Sequence, residues 1–387
     1  MKVIYFTTAL EKDDYESFVK LWKTSLNTSI QNLHNRLIRA LALTHEVEVI
    51  STRPFSKKLC KVKGLDACSK QEGKITWHYL KIKNNKIARF ISTRIQAKKL
   101  LANMNLKDCI ILTDTLNPYL LSKATALAKK YSLPIIGVCN NTPSDIHDTD
   151  RTYTKTLLNA GKDLSGYIAL TSGLNELYNQ GNRANLVIEG VLDNRYKNDY
   201  ENKFGKYIYY DGRLDNKSGI YELIKAFNLL NDPSLNLVFS GYHANDIKIK
   251  KLIEGNDKIH YLGFIPLDEV LYRENNSFIN ICPRPYSEDY DRYLIPDNII
   301  DYFSSAAITI STKNNRLNKY FEDDVIWANS NEPNVLLDAI KKALTLSNEE
   351  KNNMIKKANL DANKLYSLSV INRKVILFLR QFLRQKD

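Results

Sequence analysis

Residues Tyr209–Leu230 read YYDGRLDNKSGIYELIKAFNLL, and this stretch decides the fold. Tyr207–Tyr210 (YIYY) has the β-branched and aromatic character of a buried strand. Gly212 then turns the chain, and a helix is expected from Gly219 to Leu230. The alternation continues downstream through LNLVFSG (Leu235–Gly241), KIHYLGF (Lys258–Phe264) and SFINICP (Ser277–Pro283). A helix near Asn298–Ser304 and the strand ITIST (Ile308–Thr312) follow. Strand, helix and strand in this order imply parallel pairing with right-handed crossovers. Such sheets bind ligands beyond the carboxyl ends of their strands.

Upstream the same alternation appears a second time. KVIYF (Lys2–Phe6) opens a strand, and residues 29–43 place Ile30, Leu33, Leu37, Ile38 and Leu41 on one helical face. Further strands are expected at Glu46–Thr52, Cys109–Leu112, the IIGV run after Pro134, Gly166–Leu170 and Leu186–Gly190. Helices are expected at Tyr119–Lys130 and in SGLNELYNQG. The segment Asp193–Lys206 is polar and turn-rich, and it divides the chain into domains 1–200 and 201–365. Two α/β halves with a polar joint are the pattern of hinged enzymes that close on a substrate. The closing helix, residues 366–387, carries Ile371, Val375, Leu379 and Phe382 on one face, among Arg373, Lys374, Arg380 and Arg384. Packing against the first domain is the favoured reading, and lying on an acidic lipid surface is the other.

Composition narrows the class. The 387 residues suit two domains, 43 % are hydrophobic, and Gly 14 with Pro 10 is low for a disordered or fibrous chain. Lys+Arg 56 against Asp+Glu 43 leaves +13, which favours anionic partners such as phosphorylated substrates or an acidic membrane face. The charge is spread, with no zinc-finger spacing, RNA-binding aromatic motif or long basic tail, so nucleic acid is not an expected partner. Cys60, Cys68, Cys109, Cys139 and Cys282 form no CxxC, and an odd number resists complete pairing. The start, MKVIYFTTALEKDD, turns acidic before a secretory apolar region develops. These readings point to a cytoplasmic chain with peripheral attachment to the inner membrane face left open. His34 and His243 lack partners at ligand spacing, and no metal is assigned.

The opening stretch, with LNLVFSG and IHYLGFI after it, resembles the donor-binding domain of the retaining glycosyltransferase family 4. That family reads roughly G-R-L, then G, then a helix ending L-x-x-A-F, a strand into a glycine turn, and I-x-x-L-G. The parts fall on Gly212, Arg213, Gly219, Ala226, Phe227, Gly241, Leu262 and Gly263. Downstream, CPRPYSEDYDRYLIPDNIIDYFSSAAITIST is similar to a bacterial cell-surface polysaccharide branch that reads N-P-R, then P-S-K-x-x-E-Y, then a small-residue turn. Pro283–Arg284 and Pro296 match, Asp301–Tyr302 stand where Glu–Tyr is usual, and Ser304–Ala307 form the turn. The resemblance covers most of residues 207–330, and NTSIQNLHNRLIRAL and VIEGVLD match more weakly. It implies a GT-B fold, two Rossmann-like domains facing a central cleft with the terminal helix returning toward the first.

It also implies roles. Arg213 would hold the diphosphate, because a planar fork of five donors matches two phosphates better than a point charge does. The plain alternative is a surface arginine in a turn. Lys217 sits one residue before the family's lysine position and either reaches the phosphate or faces water. Gly212 and Gly241 would let the backbone approach the donor, and Leu262, Gly263 and Phe264 would border the base. Asp301 would accept from the ribose hydroxyls, or else face solvent. Arg284 follows a strand end and partly replaces the cation lost where Asp297–Asn298 stand for Ser-Lys. Glu288 and Asp289 would bring a carboxylate near the sugar, or only keep a loop soluble. Asp114, Asn140 and Asn141 follow strands of the first half. Asn141 occupies the usual D-x-P acid position as Asn141-Thr142-Pro143, and Asp145 and His147 are fallbacks. Asn cannot act as a general base, which hinders inversion more than retention.

The implied reaction is transfer of a sugar, with retention, from a nucleoside-diphosphate sugar (UDP-sugar favoured) to a cell-surface polysaccharide, glycoprotein or lipid-linked saccharide. No cofactor would be bound permanently. The altered positions leave a second reading, a degenerate GT-B partner that forms a homo- or hetero-oligomer with an active glycosyltransferase.

Overall fold

Alternating β-branched runs and amphipathic helices build two separate α/β units. The computed structural model describes the chain apart from residues 23–27, 55–63, 84, 144–150, 194, 197, 243–245 and 384–387. Asp145, His147 and His243 lie outside the described residues. One unit comprises Met1–Val191, Arg292–Leu294 and Leu368–Asp387, and the other comprises Leu192–Asp291 and Ile295–Ser367.

In the first unit the strands are β1 (Lys2–Thr7), β2 (Glu46–Ser51), β3 (Gly64–Leu65), β4 (Cys68–Glu72), β5 (Ile75–Tyr79) and β6 (Ile82–Lys83), then β7 (Cys109–Asp114), β8 (Ile135–Cys139), β9 (Gly166–Ala169) and β10 (Ala184–Val187). Eight of them form one sheet in the order β10-β9-β8-β7-β1-β2-β5-β4. All its pairings are parallel except that of the edge strand β4, which runs antiparallel to β5. Central strands β1, β7 and β8 are almost wholly buried, as a parallel sheet covered on both faces requires. LVIEG was expected to be a strand to Gly190, but pairing with β9 ends at Val187.

The terminal helix Leu368–Arg380 belongs to this unit. Ile371, Val375 and Leu379 are fully buried in its core. Asn372 Nδ2 donates to the Ala40 carbonyl at 2.8 Å and to Thr44 Oγ1 at 2.9 Å, fixing the helix against Thr28–Ala42. The expected return of the closing helix is thus present.

The second unit holds β11 (Tyr207–Arg213), β12 (Asn236–Tyr242), β13 (Ile259–Tyr261), β14 (Ile279–Cys282), β15 (Ile308–Thr312) and β16 (Ile326–Ala328). They form an all-parallel sheet ordered β13-β12-β11-β14-β15-β16. The two-residue period of a strand sorts its side chains between two cores. Ile208 and Tyr210 enter the layer beneath helices Ile220–Leu230 and Pro333–Thr345. Tyr207 and Tyr209 enter the opposite layer with Val238. Both of these buried hydroxyls are satisfied, Tyr207 by the Arg273 carbonyl at 2.8 Å and Tyr209 by Ser240 Oγ at 2.7 Å. Strand order reverses beside β11, since the chain moves from β11 to β12 on one side and returns to β14 on the other. That reversal is the switch point where open parallel sheets hold ligands.

Candidate functional site

Four loops of the second unit meet at the carboxyl ends of β11 to β14, and glycines make the meeting close. Gly212 at the end of β11 lies opposite Gly241 at the end of β12. A Cβ on Gly241 would come within 1.8 Å of the Gly212 carbonyl oxygen, and Gly241 has φ +139. The Gly241 amide donates to the Gly263 carbonyl at 2.8 Å, which ties the turn after β13 to the same edge. Gly219 approaches from the other side. Its φ is +79, and a Cβ there would lie 1.8 Å from the Pro283 carbonyl oxygen. The loop from β11 into helix Ile220–Leu230 therefore crosses the end of β14 at the switch point with no room for a side chain.

Arg213 ends β11 with a side chain 62 % exposed. Its guanidinium donates to Asp215 Oδ2 at 2.5 Å, while Asp215 Oδ1 accepts from the Lys217 amide at 3.0 Å. Ser218 Oγ donates to the Asp215 carbonyl at 2.7 Å, closing a turn around the carboxylate. Lys217 itself is exposed. An exposed ion pair of this sort contributes about 0–1 kcal/mol, so Arg213 can be drawn from it by a stronger anion. Arg284 follows β14 and Pro283, with its guanidinium 5.4 Å from the Tyr290 ring. Tyr210, whose hydroxyl donates to the Arg213 carbonyl at 2.7 Å, has its phenol pushed up by burial and drawn partly back by the Arg284 charge. Arg284 thus belongs to the same edge as Arg213. Leu262 is half-buried, and Phe264 is exposed beside Gly263.

Asp301 is carried by helix Asp297–Phe303 and is buried. Two neighbours on that helix dock it onto β11. Asn298 Nδ2 donates to the Asp211 carbonyl at 2.7 Å and to Tyr302 Oη at 3.1 Å. The Tyr302 hydroxyl donates to Asp211 Oδ1 at 2.7 Å and accepts from the Asp211 amide at 3.1 Å. Burial, with Asp301 and Asp297 nearby, pushes the Asp211 carboxyl up to about 6, against the hydrogen bonds from Tyr302 and Glu274. Asn298, which stands where the resembling family has a lysine, is thus a backbone tie. Sequence reading gave no role to Asp211, Asp215 or Tyr302. The D-G-R-x-D-x-x-S spacing of an Asp-centred turn was the available signal for Asp215.

Glu288 begins the short helix Glu288–Tyr293 in the second unit and is exposed. Asn141 belongs to the first unit, after β8. Asn141 is buried, and its carbonyl accepts from Tyr178 Oη at 2.9 Å. Beside it Asn140 is 3 % exposed, and its side-chain amide has no hydrogen-bond partner among the described residues. Asp114 at the end of β7 caps the next turn through the Leu116 amide at 2.8 Å. Its Oδ2 lies 3.8 Å from His34 Nε2, and His34 Nδ1 meets Tyr5 Oη at 2.6 Å. A carboxylate opposite Nε2 favours the proton there, leaving Nδ1 to accept from Tyr5. Burial holds the His34 imidazole below its usual range and raises the Asp114 carboxyl.

Comparison with known proteins bears on the second unit first. Residues 193–361 match the family model described as glycosyl transferases group 1. No curated protein matches the chain. Among solved structures, a trehalose-6-phosphate synthase is similar at TM-score 0.70 and 12 % identity, over 98 % of this chain and 99 % of that one. Sucrose-phosphate synthase from Thermosynechococcus elongatus gives 0.69 and 12 %, over 100 % of both chains. The Anabaena HepE protein in complex with UDP gives 0.67 and 12 %, over 98 % and 100 %. At such identity these likenesses speak for architecture. The chain has the GT-B fold of two Rossmann-like domains, and its stretch from residue 193 to 361 is matched by the glycosyl transferases group 1 model.

Proposed function

We propose that this chain is a glycosyltransferase that takes its sugar from a nucleoside diphosphate, with UDP favoured, and delivers it to a glycan hydroxyl or a lipid-linked saccharide. The observation that carries this reading is the meeting of Gly212–Arg213, Gly241, Gly263 and Pro283–Arg284 at one switch point. Two cationic side chains and close-packed backbone suit a diphosphate there. The segment concerned lies inside the matched residues 193–361, and a protein similar in fold binds UDP.

In the proposed reaction the acceptor oxygen bonds to the anomeric carbon while the bond from that carbon to the phosphate oxygen breaks. Negative charge grows on the leaving diphosphate, and Arg213 released from Asp215 stabilises it together with Arg284. The proton of the acceptor hydroxyl passes to the leaving phosphate, which suits retention and requires no base from Asn141. Asp301 holds the ribose diol, Leu262 to Phe264 border the base, Lys217 supports the phosphate, and Glu288 approaches the sugar.

Titration calorimetry with UDP and with GDP tests the donor side. One nucleotide should bind with clear preference, and Arg213→Ala should weaken it by about tenfold to a hundredfold, the value of charged hydrogen bonds. Unchanged affinity removes Arg213 from the phosphate site. The use of Asn298 as a tie rather than a cation favours the second reading, a silent partner of an active transferase. Binding of neither nucleotide would support that reading.

A further inference from the structure

The helix Lys86–Ala102 has an inward face and an outward face of unusual composition. Thr93, Ala97 and Leu101, four residues apart, are buried and fix the helix to the first unit. On the opposite side Ile91 is 52 % exposed and Ile95 is 61 % exposed, one turn apart. Arg94, Lys98 and Lys99 are exposed beside them. The helix sequence KIARFISTRIQAKKLLA contains five cations and no acid. Single exposed apolar residues are ordinary, but two exposed isoleucines one turn apart, beside three exposed cations on a helix without an acid, are the composition of an interfacial helix.

We propose that the outward face of Lys86–Ala102 docks this chain on an anionic lipid bilayer, with Ile91 and Ile95 entering the headgroup region and Arg94, Lys98 and Lys99 meeting lipid phosphates. Charge complementarity argues for this occupant, since the face has cations without carboxylates and apolar groups placed between them. A nucleic acid would use the cations and leave the isoleucines in water. The neighbouring helix Pro118–Tyr131 adds to the positive field. There burial, together with the charge of Arg94, lowers the Lys123 ammonium to about 8. A phosphate beside Arg94 would relieve that repulsion. Among the described residues no helix is long and apolar enough to cross a membrane, so the contact would be peripheral.

The terminal helix offers the rival surface. Its Leu377 is 72 % exposed between Arg373 and Arg380, but it presents one apolar side chain where Lys86–Ala102 presents two. Both surfaces are tested by flotation of the full chain with phosphatidylglycerol and with phosphatidylcholine vesicles. The proposal expects binding to the anionic vesicles, weakened by salt and absent from the neutral ones. Arg94→Gln with Lys98→Gln and Lys99→Gln should lower partitioning roughly a hundredfold, on the order of fivefold per cation. Ile91→Asn with Ile95→Asn should lower it at least tenfold with every cation retained. Lys250→Gln with Lys251→Gln, on an exposed helix of the other unit, should change it less than twofold. Thermal melting of each variant establishes that it is folded.

Equal binding to neutral vesicles, no binding to either, or full retention by the isoleucine pair would overturn the proposal. So would a loss confined to Arg373→Gln, Leu377→Asn and Arg380→Gln. Competition by duplex DNA that is unaffected by the isoleucine substitutions would assign the face to nucleic acid instead. Vesicle binding is read without any nucleotide, so this test stands apart from the donor-site reading.

Discussion

At the scale of single residues, the most consequential group is one that ties a strand of the candidate site to the helix beside it. Asp211 receives the Tyr302 hydroxyl, and its backbone carbonyl receives Asn298. It also lies near Glu274 on helix Leu267–Asn276, near Asp301 and Asp297, and two residues after Tyr209 on its own strand. Burial among these acids raises its pKa from 3.8 to about 6. The folded state therefore binds a proton there more tightly than the unfolded state does. Stability from this group is fully present below pH 3.8 and falls as pH rises toward 6. Asp211→Asn retains the shape and an acceptor for Tyr302 while removing the charge. The variant should be more stable than the parent by about 1–3 kcal/mol above pH 6, with the difference closing near pH 4. Urea denaturation across that pH range checks it, and a constant difference at every pH would remove the proton from the account.

At the scale of elements, the passage from β11 into helix Ile220–Leu230 shows what sequence alone made legible. The strand at Tyr207–Tyr210 and the helix after Gly219 were readable from the change of period between them. The strand runs on through Gly212, the expected turn, to Arg213, because its pairing with β12 continues there, and the helix starts within one residue of expectation. ITIST occupies Ile308–Thr312 as expected, since five buried β-branched and small residues leave little choice. The antiparallel edge strand β4, with residues CSKQE mostly exposed, had no such signal. Only its pairing with β5 makes it a strand, and pairing is tertiary information. The candidate site divides in the same way. Gly212, Arg213, Gly241 and Gly263 were visible as a spaced pattern, whereas the Asp211–Tyr302–Asn298 ties join residues about ninety apart and depend on which helix lands on which strand. Gly219 carries the sharpest consequence of the crossing. Alanine there must take φ +79 and place its Cβ against the Pro283 carbonyl, so the loop or β14 has to move. Gly219→Ala should cost about 3 kcal/mol or more, measured by denaturation, and should weaken UDP binding with it. Gly73→Ala, where a Cβ meets nothing within 4 Å, is the control that isolates the clash from the positive φ (+56).

At the scale of the whole molecule, two sheets with separate cores mean that damage to one should leave the chemistry of the other intact. The first core draws Ile371, Val375 and Leu379 from the end of the chain into a cluster with β1, β7 and β8, so its last element is supplied after the entire second unit has been synthesised. The second unit holds its own cores around Ile208, Tyr302 and Tyr209, and none of these uses the terminal helix. Val375→Ala removes two buried methyl groups from the first core and should cost about 1–3 kcal/mol, a sum of lost transfer energy and residual cavity. Because the proposed donor site is built only from the second unit, UDP affinity by calorimetry should stay within twofold of the parent below the melting transition. Conversely, saturating UDP should protect the second unit by about 2.7 kcal/mol at a hundredfold excess over its dissociation constant. Hydrogen exchange, which reads amides of the two sheets separately, distinguishes the two effects. Slower exchange in β11 and β12 with UDP, and faster exchange in β1 and β7 with Val375→Ala, is the expected pattern. A Val375→Ala chain that lost UDP binding while still folded would mean that the first core helps to build the nucleotide site, and the assignment of the donor to the second unit alone would have to be given up.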